Sequence, residues 1–271
     1  MVGGYNNVLY SVNPTNGLEN WSFGKAENRY IASPLATEDM IFAANSDNTL
    51  YALNFDGQLV WEFSSNDPLW AAPVWSDYCS CIYQVSMDHA LYAIDPENGN
   101  VLWKSEDLGG PMVSKPALSD SGLIITSNFN NEVVALDEET QEIAWRFSPA
   151  DWSWASPLID GDQVYVSDIP GPVYALELET GAPLWQFQPG GVIYTAPLVK
   201  DDLIYISTDA SSLVVFSREG VVQRNQPIDG KLYASPVSAD DKILLAPTDA
   251  EFFLIALSDN GVQTWGYPPP K

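Results

Sequence analysis

Apolar and polar positions come in short alternating runs along the whole chain, and no long stretch carries the 3.6-residue period of an amphipathic helix. Residues 91–103 show the basic unit most plainly. Leu91-Tyr92-Ala93-Ile94 is an apolar run, Asp95-Pro96-Glu97-Asn98-Gly99 is a polar turn closed by glycine, and Val101-Leu102-Trp103 is a second apolar run. Such a pattern predicts a β-hairpin, with Gly99 where turns of this kind need a positive φ.

Seven copies align on a glycine four residues before a tryptophan. Leu9-Tyr10-Ser11 goes with Gly17 and Trp21, Leu50-Tyr51-Ala52 with Gly57 and Trp61, and the unit above with Gly99 and Trp103. Val133-Val134-Ala135 goes with Trp145 but has Gln141 for glycine; Val173-Tyr174-Ala175 goes with Gly181 and Trp185. Leu213-Val214-Val215 keeps Gly220 but has Arg224 for tryptophan, and Leu254-Ile255-Ala256 goes with Gly261 and Trp265. The spacing is about 40 residues, the period of propeller blades and similar arrays.

Between hairpins lies a second recurrent segment: Tyr30-Ile31-Ala32-Ser33-Pro34, Trp70-Ala71-Ala72-Pro73, Val113-Ser114-Lys115-Pro116, Trp154-Ala155-Ser156-Pro157, Tyr194-Thr195-Ala196-Pro197 and Tyr233-Ala234-Ser235-Pro236. Each leads into a short strand, a turn and another strand. A repeat therefore holds four strands: A after the proline, B, C (the Leu-Tyr-Ala run) and D, which ends at the tryptophan. Proline early in strand A fits an edge position, where no ladder bond is lost. Asn6-Asn7, Asp47-Asn48 and Asp88-His89 fit two-residue B–C hairpins.

Four-stranded antiparallel sheets repeated radially make a β-propeller. The expected fold is all-β, a single β-propeller domain over residues 1–271 with seven four-stranded blades. Blade 1 is the exception: it begins at strand B, and only six proline-led A strands serve seven hairpins. Residues 266–271, with three prolines, make a poor substitute strand. Completion by a neighbouring chain is one expectation for this blade, truncation of a longer protein another.

Composition narrows the partners. The 271 residues are 46% hydrophobic and 12% aromatic, ample for a folded core. No apolar run reaches the roughly 18 residues of a membrane helix, and no basic-then-apolar signal peptide opens the chain. With 36 acidic against 11 basic residues the net charge is −25, which disfavours nucleic acid and anionic membrane surfaces. The acidity reads as a solvated surface, with a cationic partner as the alternative. Cys79 and Cys81 flank Ser80. On an extended strand their Cα atoms would lie about 7 Å apart, at the limit for a disulfide, so two free or buried thiols are expected.

With Ala-x-Asp and Gly-x-x-x-Trp laid out, as in Ala93, Asp95, Gly99 and Trp103, the repeat resembles the tryptophan-docking motif of PQQ-type propellers. The resemblance covers essentially the whole chain and is nearest in style to the BamB-type scaffold propellers of outer-membrane β-barrel assembly. It implies that Trp21, Trp61, Trp103, Trp145, Trp185 and Trp265 dock blade on blade, with Arg224 at the loosest junction. It also implies a periplasmic or extracellular location. The same family contains quinoprotein dehydrogenases, so a PQQ- and Ca²⁺-dependent enzyme is the alternative. Short loops and cysteines separated by Ser80 argue against that alternative, and a single histidine leaves no Ser-His-Asp set. No catalytic residue, metal ligand or cofactor is expected. The acidic residues Asp47, Asp88 and Asp209 are of the type that tight turns prefer.

Antiparallel strands put the D–A connections and the B–C turns at the same end of each sheet. Candidate binding residues there are Tyr30, Trp70, Trp152, Trp154, Tyr194 and Tyr233, with Lys115 and the acidic turn residues Asp47 and Asp88. Trp152 and Trp154 stand out, because Asp151-Trp152-Ser153-Trp154 extends beyond the docking pattern. The chain is expected to be a non-catalytic scaffold that binds a protein or peptide segment through an aromatic and acidic face. A sensory or carbohydrate-binding ectodomain is a further alternative, with sugar rings stacked on the aromatics.

Overall fold

The seven hairpins form where the alternation places them. The computed structural model describes residues 1–169 and 171–268, and it divides into two compact units, Met1–Arg146 and Phe147–Lys271. Among the described residues there are six four-stranded antiparallel sheets, one three-stranded sheet and one two-stranded sheet.

In the first unit, sheet 1 has three strands, Val2–Gly3, Leu9–Val12 and Glu19–Phe23, which are strands B, C and D without an A strand. Sheet 2 holds Leu35–Ala36, Ile41–Ala44, Thr49–Leu53 and Leu59–Ser64. Sheet 3 holds Val74–Ser76, Cys81–Val85, Leu91–Ile94 and Val101–Lys104. Sheet 4 is built from Ala117–Leu118, Leu123–Asn128, Glu132–Asp137 and Ile143–Phe147.

The second unit repeats the plan. Sheet 5 contains Leu158–Asp160, Gln163–Ser167, Val173–Glu177 and Pro183–Phe187. Sheet 6 contains Leu198–Lys200, Leu203–Thr208, Ser212–Ser217 and Val222–Pro227. Sheet 7 contains Val237–Ala239, Lys242–Leu245, Leu254–Ser258 and Gln263–Tyr267. Gly266 and Tyr267 therefore belong to a D strand, whereas the prolines at 269 and 270 lie outside the described residues. Sheet 7 also departs at its B–C connection, where Pro247–Thr248 pairs with Lys231–Leu232.

Burial explains the hydrophobic pattern. Strands B and C are covered on both faces, so they read as continuous apolar runs such as Ile41–Ala44 and Leu91–Ile94, all buried. The D strands bury only alternate residues. The core is thus a series of layers between successive sheets. Phe42, Trp61, Ile82 and Tyr92 share the layer between sheets 2 and 3; Tyr165, Val173, Ile204 and Phe216 share that between sheets 5 and 6.

Two turn chemistries set the register. The glycine before each tryptophan is left-handed at Gly17, Gly57, Gly99, Gly181, Gly220 and Gly261, and Gln141 takes the same conformation (φ 61°) where glycine is missing. In the Asp95 turn the side chain accepts the Glu97 N–H (2.8 Å), and the Gly99 N–H closes on the Asp95 carbonyl (2.9 Å). The B–C turns differ from the two-residue hairpins expected. Asn45 N–H donates to the Thr49 carbonyl (3.0 Å) and Ser86 N–H to that of Ala90 (3.0 Å), so three residues form each loop and only the last, Asn48 or His89, is left-handed. Such a loop is a type I turn closed by a bulge, which matches the strand twist with one strained residue instead of two.

A second bulge escapes sequence pattern altogether. In six sheets the C–D register shifts directly after the small residue that faces the tryptophan position, as between Ala93 and Ile94 opposite Trp103. Ala52 faces Trp61 and Ala175 faces Trp185 in the same way, with Val215 facing Arg224. The extra residue increases the local twist of the outer strand.

The cysteines require a correction. Cys79 and Cys81 are disulfide-bonded, with Cα atoms 5.1 Å apart. The extended geometry assumed from the sequence does not apply, because Ser80 is left-handed (φ 51°) and lies in the turn before strand Cys81–Val85. The reversed backbone brings the two Cβ atoms within bonding range.

Candidate functional site

The repeated Gly-x-x-x-Trp positions form seats between neighbouring sheets. Trp21 Nε1 donates to the Phe55 carbonyl (2.8 Å), Trp61 Nε1 to Pro96 (2.8 Å) and Trp185 Nε1 to Arg218 (2.7 Å). Each indole lies on the glycine of the following turn so closely that a Cβ would sit 2.5 Å from Trp21 at Gly57, 2.6 Å from Trp61 at Gly99 and 2.6 Å from Trp185 at Gly220. Trp103 is half-buried and packs edge-on to Tyr83 (5.6 Å between ring centres); Trp145 is buried. Arg224 takes the place of an indole: its Nη1 donates to the Asp259 carbonyl (2.9 Å), and its Nε lies 2.9 Å from the Cβ position of Gly261. Trp265 departs from the pattern, being 42% exposed. The turn that covers Trp21, Trp61 and Trp185 comes in each case from the next repeat along the chain.

The D–A connections and B–C turns do share one end of each sheet. The Glu27 N–H donates to Asp47 Oδ2 (2.8 Å), the Ser46 N–H to the Arg29 carbonyl (3.2 Å), and the Met87 N–H to that of Pro68 (3.1 Å). The second unit repeats the arrangement: Ile169 N–H donates to the Trp152 carbonyl (2.9 Å) and Asp209 Oδ1 accepts from Val192 N–H (2.8 Å).

Those bonds redefine the acidic turn residues. Asp47 accepts from the N–H groups of Glu27 and Thr49 and from the Tyr51 hydroxyl (2.8 Å). Asp88 accepts from the Asn66 and Ala90 N–H groups and the Tyr92 hydroxyl, with Lys104 Nζ at 3.7 Å. Both carboxylates are occupied in tying one sheet to the next. Asp168 does the same work: it is fully buried, accepts from the Asp151 N–H (3.1 Å) and the Tyr174 hydroxyl (3.1 Å), and its pKa is raised because burial removes its hydration. The sequence carried a signal for the first two, an aspartate four residues before the tyrosine of strand C; in the repeat of Asp168 the spacing is six, which hid it.

The aromatic candidates separate as well. Tyr30 is 3% exposed, packs with Leu9, Phe23 and Ile41, and lies against Gly3, so it is a core residue. Burial raises its hydroxyl pKa. Trp70 is half-buried, and Lys115 is exposed. The structure brings the others together in the second unit. Trp152 and Trp154 meet edge to face at 6.1 Å between ring centres, and Tyr194 and Tyr233 meet at 5.5 Å. Trp154 is 39% exposed and Tyr233 46% exposed. Paired rings with one exposed member supply broad apolar contact at low entropic cost, together with polar edges for hydrogen bonding.

Among the described residues, no group of three or more His, Cys, Asp or Glu is placed to hold a metal ion. No helix among the described residues is long and apolar enough to cross a membrane.

The family model described as outer membrane protein assembly factor BamB matches residues 1–77, 56–148, 87–191 and 129–268, so the chain belongs to the BamB family of PQQ-type repeats. Among solved structures, BamB from Moraxella catarrhalis superposes with a TM-score of 0.76 at 17% identity, over 100% of this chain and 80% of that one. This likeness shows the fold, a β-propeller. Because 1668 chains of solved structures match, the fold by itself does not choose a function. No curated protein sequence matches the chain.

Proposed function

We propose that this protein is a non-catalytic assembly scaffold that holds an extended protein segment on aromatic side chains of its D–A connections. The observation that carries this reading is the pair of ring clusters in the second unit, Trp152 with Trp154 and Tyr194 with Tyr233, each with a well-exposed ring. Membership of a family described as an assembly factor supports a protein partner. The Cys79–Cys81 disulfide and that family name support a location outside the cytoplasm, in the periplasm or beyond, where such bonds persist. The three-stranded sheet 1 supports strand addition by a neighbouring chain as a second mode of contact.

A displayed library of extended peptides, selected on the whole protein, supplies the ligand for the test. Trp154→Ala and Tyr233→Ala are expected to weaken the selected peptide about 10-fold each, the loss typical of an aromatic anchor, with unchanged thermal unfolding. Unaltered affinity in both variants would remove the ring clusters from the binding surface. Capture of neutral oligosaccharides but no peptide through the same residues would replace the scaffold reading with a carbohydrate-binding one.

A further inference from the structure

A cleft lies at the opposite end of sheets 2 and 3 from the D–A connections. The A–B turn of sheet 2, the A–B turn of sheet 3 and the C–D turn of sheet 3 enclose a cleft of about 820 Å³, within the size range of small-molecule sites. Its apolar lining comes from Met40, Phe42 and Trp75. Four carboxylates, Glu38, Asp39, Asp77 and Glu97, also line it, and no Lys, Arg or His does.

The walls are fixed before any ligand arrives. Thr37 N–H and the Met40 carbonyl close one turn (2.9 Å), and the Cys79–Cys81 disulfide braces the turn that carries Ser80. The docked Trp61 holds the Pro96 carbonyl of the third. Phe42 is fully buried in the layer between the two sheets, and Trp75 packs on the same layer while its Nε1 donates to Asp77 Oδ1 (2.8 Å). That bond orients the indole. By contrast Glu38, Asp39 and Glu97 are exposed and enter no ion pair among the described residues. An indole beside unpaired carboxylates is the environment that recognises a positive charge carried on an apolar body, by cation–π attraction together with charge-assisted hydrogen bonds.

We infer that this cleft binds a small organic cation, an ammonium or guanidinium group on an aliphatic or aromatic body, independently of the aromatic face proposed above. The size of the cleft and its enclosure by three turns fit a free small molecule, with the apolar body on Met40 and Trp75 and the charge toward the rim carboxylates.

The test uses the whole protein labelled with 5-fluorotryptophan, whose ten indoles give ten resonances. The Trp75 resonance is assigned by its loss in Trp75→Phe. Phenethylammonium and agmatine are titrated against the uncharged analogue 2-phenylethanol and a capped arginine-containing pentapeptide. The expected result is saturable movement of the Trp75 resonance with the cations and none with the alcohol. Affinity should fall about 10-fold in the triple variant Glu38→Gln/Asp39→Asn/Glu97→Gln. A control of equal charge change on sheet 4, Asp120→Asn/Glu139→Gln/Glu142→Gln, should change it less than about 2-fold.

Equal loss in both triple variants would reduce the effect to the net charge of the protein and overturn the site. Equal binding of the alcohol would leave an apolar groove without cation selectivity. Binding of the peptide alone would overturn the small-molecule assignment. Since Trp152 and Trp154 are read as separate resonances in the same spectra, failure here leaves the test of the aromatic face unaffected.

Discussion

Gly99→Ala isolates the energetic meaning of the tryptophan seat. Gly99 has φ +76°, a conformation that costs an L-residue about 1–2 kcal/mol. The new Cβ would also lie 2.6 Å from Trp61 Cε3 and 2.9 Å from Cδ2, roughly 1 Å inside ordinary carbon contact. The indole must move, which strains its packing by about 1–3 kcal/mol and loosens the Nε1 bond to the Pro96 carbonyl, worth about 1 kcal/mol. The total is roughly 3–6 kcal/mol. Gly17 supplies the internal control. It has the same role in its turn and nearly the same φ, +71°, yet a Cβ there would meet nothing within 4 Å. Gly17→Ala should therefore cost only the conformational part, about 1–2 kcal/mol. Urea unfolding followed by circular dichroism gives the two midpoints, and a Trp61→Phe background completes a double-mutant cycle in which the penalty at Gly99 shrinks. Equal losses at Gly17 and Gly99, or a penalty at Gly99 that ignores Trp61, would refute the seat as the source of the glycine requirement.

Four further outcomes are expected. Arg224→Trp should stabilise the protein by about 1 kcal/mol in the same urea assay, since an indole keeps the bond to the Asp259 carbonyl without burying the unpaired Nε and Nη2 of the guanidinium. Asp88→Ala should cost about 2–3 kcal/mol by stranding the Tyr92 hydroxyl and the Asn66 N–H, and should leave peptide capture by Trp154 and Tyr233 unchanged. Glu138 is buried beside Ser76 (2.9 Å), and burial raises its pKa, so its stabilising contribution is complete below the ordinary carboxylate range and is lost as pH rises through the elevated value. Glu138→Gln should accordingly gain stability over the parent as the pH moves from acid to neutral, and a constant difference across a pH series would contradict this. Replacing both cysteines by serine should lower stability by no more than about 1.6 kcal/mol, because the bridge closes only a three-residue loop.

The period of the alternation and the recurrent glycine and tryptophan determined the strands and their order within each repeat, because these depend on local φ preferences and on which faces are apolar. Gln141 makes the point: it enters the left-handed region where its repeat lacks glycine, so the turn geometry, and not the glycine itself, is what the repeat imposes. The end of each sheet at which the aromatic connections meet the acidic turns was also legible, since antiparallel pairing dictates it.

What pattern could not decide were the matters of contact. Tyr30 and Tyr233 occupy equivalent places in the sequence repeat, yet one is sealed into the layer beneath Gly3 and the other is half in water. Asp47 and Asp88 look like free turn carboxylates until the connection from the preceding sheet brings a backbone N–H to them, beside the tyrosine hydroxyl of their own strand C. Cys79 and Cys81 are too far apart on an ideal strand and become partners only because Ser80 turns the chain back. In each case the deciding partner lies in another repeat or depends on one reversed dihedral. Neither is written in the alternation of apolar and polar residues; both follow from how the sheets pack.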